Sequence, residues 1–332
     1  LLDLVIDLHH DSTARVQSAS GLSESFKTSS GVRQGCVLAP SLFCTAIDWV
    51  MGRLEGDLGI NIGMTSFNDL DYADDAAFLA SDPTRWNSVL ERFREEAATV
   101  GLRPSWGKTK VCHVGLGGPP MNLNIHGEVV ESVDSFIYLG SEINSSGYCT
   151  PDIKRRIGIA LSTMSQLDRV WKQSRLSLDT KLRIYNSCIV STALYGAECW
   201  TLLKKDADMI RSFHMQCQRR ILKVRWFDRI TNAEISARTG LEDITTTVAQ
   251  RRRSLFGHVR RMDPQAPAHK ALLVAVQSPA SLPTTWKRPR GRPRHSWLKQ
   301  CSDDASLSPG DAWCAAGDRT LWRSLRPTAG SA

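Results

Sequence analysis

No apolar run in the 332-residue chain approaches the roughly 20 residues that cross a bilayer, so a membrane-spanning helix is excluded. No secretory apolar segment opens it, so export is not expected. The nine cysteines contain no CxxC pair and no Cys/His set at zinc-finger spacing. They read as buried or indifferent thiols of a reducing compartment, and no structural zinc is expected. Internal repeats are missing too. The first residue is Leu1 rather than Met, inside a segment of helical spacing, from which a missing N-terminal portion is expected. A nuclear or cytoplasmic location, neither secreted nor membrane-bound, fits these absences.

What is present is an ordinary globular mixture, 42% hydrophobic and 23% charged, in a chain long enough for two or three domains. The net charge is +8 and the isoelectric point is near 9.1. Residues 1–100 are close to balanced, whereas Arg and Lys crowd residues 204–300. Such asymmetry suits a phosphate-rich partner, or else a basic but merely solvated surface.

Leu1, Leu4, Val5 and Leu8 have helical spacing, and the runs from Ala14 to Thr28 predict a β-hairpin. From Pro40, the residues Leu42, Phe43, Ala46, Ile47, Val50 and Met51 make one apolar helix face. Between Phe67 and Ala80, two short apolar runs flank Asp74-Asp75. We read a strand, a tight turn and a strand, although the turn lacks Asn-Gly or Asp-Gly. Asp82, Pro83 and Gly101 then bracket a helix whose stripe is Trp86, Val89, Leu90, Phe93, Ala97 and Val100. Strands follow around Val111–Leu116 and over 121–144.

After residue 150 the pattern is helical. One helix is lined by Ile153, Ile157, Ala160, Leu161, Met164 and Trp171, and a second begins at Ser177. A third turns Ile210, Phe213, Cys217, Ile221 and Val224 inward, and a fourth holds Arg251-Arg-Arg253. Residues 264–310 are rich in Pro, Ser and Arg, which predicts a long irregular segment, and Trp313–Leu325 predicts one short amphipathic helix.

Adjacent carboxylates in an apolar stretch repel unless a cation neutralises them. Mg²⁺ suits that task because it takes hard oxygen ligands and keeps positions open for phosphate. An Asp-Asp pair is also common in plain turns. Context separates the two readings. Tyr72-Ala-Asp-Asp75 follows Ser30-Gly-Val-Arg-Gln-Gly-Cys-Val-Leu-Ala-Pro-Ser-Leu-Phe43 and precedes Gly101-Leu-Arg-Pro-Ser-Trp-Gly-Lys-Thr-Lys110 and Phe136-Ile-Tyr-Leu-Gly140. In this order the segments resemble the successive motifs of reverse transcriptases, most closely those of non-LTR, LINE-like retrotransposons. Leu178-Asp-Thr-Lys-Leu-Arg-Ile-Tyr185, Leu194-Tyr-Gly-Ala-Glu-Cys-Trp200 and Arg253-Ser-Leu-Phe-Gly-His-Val259 extend the resemblance toward the C-terminus.

The resemblance implies an α+β fold: a partial palm with an antiparallel sheet and packed helices over 1–150, then a helical thumb over 151–203. A basic helical extension over 204–263 and a Pro/Arg-rich, loosely ordered tail over 264–332 would follow. The implied activity is RNA-directed DNA synthesis by two-metal nucleotidyl transfer, with two Mg²⁺ or Mn²⁺ ions, an RNA template, a DNA primer and deoxynucleoside triphosphates. Asp74 and Asp75 would be the metal-binding catalytic carboxylates, and Lys108 the acid that protonates pyrophosphate. Arg33, Gln34, Gly35, Tyr72 and Ala73 would line nucleotide and template. Tyr138, Leu139 and Gly140 would grip the primer.

A further family aspartate, on an earlier strand, is not found, and Asp3 and Asp7 sit in helical spacing instead. This polypeptide alone is therefore expected to have little polymerase activity. Arg219, Arg220, Arg251, Arg252 and Arg253 are candidate nucleic-acid contacts. So are Arg290 and Arg292 in the acid-free Lys287–Arg294, which resembles an AT-hook core and reads equally as a basic linker or a nuclear-localisation patch. A second reading keeps the binding and drops the catalysis: a nucleic-acid-binding remnant of a retroelement.

Overall fold

A computed structural model describes residues 2–28, 31–33, 35–54, 56, 58–62, 65–114, 121–277 and 296–325. It is a mixture of helices and small antiparallel sheets, and it separates into two compact units. The first comprises residues 1–61, 66–111 and 119–133, and the second comprises 62–65, 112–118 and 134–332.

The first unit opens with α1 (Leu2–His9), which keeps Leu2, Leu4, Ile6 and Leu8 exposed and buries no residue. Four two-residue strands follow: β1 (Thr13–Ala14), β2 (Gln17–Ser18), β3 (Gly21–Leu22) and β4 (Phe26–Lys27). β1 pairs with β4 and β2 with β3, so the span read as one β-hairpin holds two nested pairings. Helix α2 (Ala39–Gly52) carries Pro40 in its first turn, where the fixed φ of proline fits, and buries Val50 and Met51. Strands β5 (Ile60–Ile62) and β6 (Thr65–Phe67) lead to the hairpin of β7 (Asp69–Tyr72) and β8 (Asp75–Phe78).

The Asp82 side chain then caps the turn Pro83–Arg85 by accepting from the Thr84 amide at 2.9 Å, and α3 (Trp86–Thr99) follows. Val89, Leu90 and Ala97 of its stripe are buried, while Val100 lies past the helix end and is exposed. β9 (Lys110–Cys112), β10 (Leu123–Ile125) and β11 (Glu128–Val133) form a three-stranded sheet in the order β10-β11-β9. The β10–β11 connection is His126-Gly127, both at positive φ, as a two-residue type I′ turn requires. Leu90, Trp106, Val111, Ile125 and Val130 make this unit's core, with Phe78, Phe93 and Leu123 packed around it. Phe78 meets Phe93 edge-on at 5.0 Å, so the foot of the β7–β8 hairpin is anchored on α3 while its tip stays free of the core.

The second unit carries the hairpin of β12 (Ser135–Tyr138) and β13 (Ser141–Asn144), followed by helices. These are α4 (Thr150–Gln166), α5 (Asp168–Lys172), α6 (Leu178–Ile184), α7 (Ser191–Ala193), α8 (Lys204–Leu222), α9 (Asn232–Thr239) and α10 (Ile244–Arg260). Between α6 and α7 the backbone widens into a π-helical turn over Tyr185–Val190. The core of these helices holds Ile153, Met164, Trp171, Tyr185, Ile189, Ile210 and Phe213.

The tail departs from its expectation. Within the expected irregular 264–310 the described residues hold α11 (Pro267–Gln277) and α12 (Trp297–Ala305), and the middle of that segment, residues 278–295, lies outside the described residues. In place of one terminal helix stand α13 (Pro309–Ala315) and α14 (Arg319–Ser324). They close over a second core of Phe256, Leu272, Cys301, Ala312 and Trp322. Ser296, Ser308 and Asp318 cap the last three helices by accepting from first-turn amides. All nine cysteines are free thiols. Among the described residues no helix is long and apolar enough to cross a membrane.

Candidate active site

The β7–β8 ladder pairs Asp69 with Phe78, Leu70 with Ala77, Asp71 with Ala76 and Tyr72 with Asp75, leaving Ala73-Asp74 as the two-residue tip. Side chains alternate across a strand, so Tyr72 and Asp75 share one face while Asp69 and Asp71 share the other. Asp74 and Asp75 are both exposed. Ala73 has φ 55°, a left-handed conformation that costs a non-glycine residue of order 1 kcal/mol or more. Turn chemistry alone left this hairpin uncertain because the favoured glycine is absent. The structure forms it anyway and stores that strain one residue before the first carboxylate.

A second carboxylate group, on the other face of the same hairpin, was not singled out from the sequence. The Asp71 carboxyl is pushed up to about 7 by partial desolvation, by the charge of Asp69 and a hydrogen bond with it, and by the charge of Asp48 on α2. Asp69-Leu-Asp71 on one strand was the available signal, but the part of Asp48 is set by tertiary packing. Among the described residues, no three His, Cys, Asp or Glu side chains are arranged to hold a metal ion. The donors at the tip still suit Mg²⁺, which binds through one or two carboxylates and keeps its remaining positions for water and phosphate.

In the loop before α2, Gly31 (φ 82°) and Gly35 (φ 84°) take left-handed backbone, and neither has an atom within 4 Å of where a Cβ would stand. Backbone conformation, not crowding, is what asks for glycine here. Arg33 turns back along the chain and donates to the Leu8 carbonyl at 3.0 Å and to Ser12 Oγ at 2.6 Å. Gln34 lies outside the described residues. Lys108 is exposed on the turn after buried Trp106, its amide bonded to the Ser105 carbonyl at 3.0 Å.

Tyr138, Leu139 and Gly140 end β12 and form its turn, with Leu139 (φ 47°) and Gly140 (φ 79°) as the two central residues. The turn is clamped from α4 and from the segment after α7. The Arg155 and Arg156 guanidiniums both donate to the Gly140 carbonyl, and the Tyr195 hydroxyl donates to the Leu139 carbonyl at 3.0 Å. Arg156 also stacks on the Tyr195 ring at 4.2 Å. Behind the clamp sits Asp152, 2% exposed. It accepts from Arg155 at 2.8 Å, the Glu142 amide at 3.0 Å and Trp200 Nε1 at 3.0 Å.

The arginines read as nucleic-acid contacts are differently employed. Arg219 binds the Ile230 carbonyl and Asn232, and Arg220 pairs with Asp168 at 2.9 Å. Arg251 donates to the Leu194 carbonyl. Arg252 and Arg253 are buried, which corrects the expectation that they face phosphate. Arg252 is spent on Asp304, Gln300 and the Trp200 carbonyl, and Arg253 on the Trp322 carbonyl and ring. Arg290 and Arg292 lie outside the described residues.

Residues 5–143 match the family described as reverse transcriptase (RNA-dependent DNA polymerase). A transposon-derived protein of Caenorhabditis elegans is 26% identical over 279 residues, covering 77% of this chain and 94% of that protein. The RNA-directed DNA polymerase from mobile element jockey of Drosophila melanogaster is 24% identical over 235 residues. A retrovirus-related Pol polyprotein from a type-2 retrotransposable element of the same fly is 23% identical over 205 residues. The matched stretches cover 65% and 58% of this chain but only 24% and 19% of the two fly proteins.

Proposed function

From the premise that its residues 5–143 belong to the reverse transcriptase family, and that its relatives are proteins of non-LTR retrotransposons, we propose that this chain carries part of the active site for RNA-templated DNA synthesis. The observation that carries the proposal is the hairpin tip, where Asp74 and Asp75 stand exposed on a strained turn inside the matched segment. In this reading the first 150 residues are an incomplete palm, 151–203 the thumb and 204–263 the extension, with the capped helices beyond 264 closing it.

The reaction is attack of a primer 3′-hydroxyl on the α-phosphate of a deoxynucleoside triphosphate, releasing pyrophosphate. Asp74 and Asp75 would hold Mg²⁺ or Mn²⁺. When bound, such ions offset phosphate charge and stabilise the attacking and leaving oxygens. Tyr72 and Ala73 would border the primer end, and Gln34 and Gly35 the nucleotide. Lys108 would give its proton to the departing pyrophosphate. The clamped Tyr138–Gly140 turn would bear on the primer strand. Arg33, occupied by Leu8 and Ser12, would act by holding its loop.

The polypeptide by itself is proposed to be a weak polymerase, because one turn supplies carboxylates from a single side of the ion sites. Two measurements test the reading. Titration with Mn²⁺, followed by its paramagnetic resonance signal, should show binding that Asp74→Asn/Asp75→Asn removes. A wild-type chain that binds no Mn²⁺, or a double variant that binds it equally, would sink the assignment. Primer extension should be feeble; robust incorporation that disappears in Asp74→Asn would instead show that the site is complete. If the chain binds strands but neither ion nor nucleotide, the non-catalytic binding remnant is the better description.

A further inference from the structure

Helix α8 stops at Leu222, and Lys223 closes it with φ 58°. A tight helical turn over Trp226–Asp228 follows, and Arg229 again adopts a left-handed backbone with φ 52°. Both ends of this excursion are fastened. The Val224 amide donates to the Arg219 carbonyl at 2.9 Å, and the Arg225 amide to Asp228 Oδ2 at 2.7 Å. Beyond it, the Arg219 guanidinium reaches the Ile230 carbonyl at 2.8 Å and Asn232 Oδ1 at 2.9 Å.

Held this firmly, the turn still presents its aromatic residues to water. Trp226 is 89% exposed and Phe227 53% exposed, and the two rings meet edge-to-face at 5.8 Å. The Arg225 guanidinium lies 5.7 Å from the Phe227 ring centre. Lys223, Arg225 and Arg229 are exposed around them. Asp228 is the acid of this stretch, and one of its oxygens is committed to the Arg225 amide. An exposed indole beside three cations complements a ligand with flat apolar faces and regularly spaced anions. Unpaired nucleotides have that form, and aromatic stacking with basic flanks is how single strands are bound without sequence preference. Duplexes keep their base faces stacked and offer the ring nothing to cover.

We propose that the turn Lys223–Arg229 is a stacking platform for single-stranded nucleic acid. Trp226 carries an unpaired base, Phe227 supports the indole edge-on, and Lys223, Arg225 and Arg229 meet the phosphates on either side. The choice of ligand rests on the polymerase reading above, but the platform uses none of the residues assigned there to chemistry.

The test is fluorescence anisotropy of the full chain with a labelled oligothymidylate and with an abasic strand of equal length, each over a range of salt. Removing one stacked base is worth about 5- to 150-fold in affinity. Trp226→Ala should therefore lose affinity for oligothymidylate within that range yet leave binding to the abasic strand nearly unchanged. Trp226→Phe should recover most of the loss. Arg225→Ser/Arg229→Ser should weaken both strands and flatten the salt slope by about 0.7 per cation. Repeating the titration with oligouridylate separates RNA from DNA as the natural strand.

Equal oligothymidylate affinity for Trp226→Ala and wild type would overturn the proposal, as would a wild type indifferent to missing bases. So would a Trp226→Ala chain whose only change is loss of self-association in sedimentation, which would mark a protein contact. Loss of base dependence with Mn²⁺ binding intact would sink the platform alone, and absence of Mn²⁺ binding with base-dependent strand binding intact would sink the catalytic reading alone.

Discussion

Replacing Asp152 by alanine should destabilise the helical unit more than almost any other single change. Its carboxylate is 2% exposed and collects the Arg155 guanidinium, the Glu142 amide and the Trp200 indole, with Arg156 Nε 4.0 Å away. Removing one partner from a buried charged network costs about 3–5 kcal/mol, because the groups left behind keep their desolvation cost and lose its compensation. Here a largely buried guanidinium and two buried N–H donors would be stranded together. With a urea m-value of about 2–3 kcal/mol/M, the unfolding midpoint should fall by about 1–2.5 M. Asp152→Asn keeps an acceptor in place but removes the charge, so about half that loss is expected. Tryptophan fluorescence is the readout, since Trp171 and Trp200 are buried in the same core. A double-mutant cycle with Trp200→Phe isolates the indole bond. An alanine variant shifted by less than ~1 kcal/mol would refute the reasoning, because it would mean water already satisfies these donors.

Three other substitutions probe the units separately. The raised Asp71 carboxyl holds a proton that the unfolded chain releases at its ordinary pKa, so stability drains away as pH rises from about 4 to about 7 and the full cost applies above that. Asp71→Asn should then raise the melting temperature at pH 8 by an amount equivalent to about 1 kcal/mol, after allowance for solvent screening, with the gain vanishing toward pH 4. A gain independent of pH would contradict this. Gly257→Ala would place a Cβ 2.5 Å from the Trp322 ring and 2.9 Å from the Arg261 guanidinium. Overpacking of that kind costs about 1–3 kcal/mol, and calorimetry should show the loss in full, whereas Gly158→Ala, with open space at its Cβ, should be neutral or stabilising.

Much of the local architecture was legible. The stripes Trp86–Ala97 and Ile153–Met164, the prolines at helix starts and the runs flanking Asp74-Asp75 all signal through periods of 3.6 or 2 within a few residues. The carboxylate tip was legible for the same reason. The arginine run was not: 251–253 looks like a solvated helix face, and the partners that draw it inward, Leu194, Asp304 and Trp322, lie 52 to 69 positions away. At the tail, Ser296 and Ser308 cap helices that the composition did not announce, while residues 278–295, which hold all the arginines of 264–310, lie outside the described residues. Asp48 could not be assigned beside Asp69 and Asp71, because nothing in spacing tells where a helix lays its side chain against a strand.

The return of the chain at Trp297 changes what a convenient stopping point would be. Trp297 Nε1 binds the Glu198 carbonyl at 2.7 Å, Gln300 bonds both amide and carbonyl of Leu202, and Asp304 meets Arg252 at 2.8 Å. A shortened protein ending ahead of these residues would not be a tidier version of the same object. It would leave one guanidinium without its counter-charge and Phe256 facing water, so the last thirty described positions belong to the foundation of the helical unit, however much they resemble trimming.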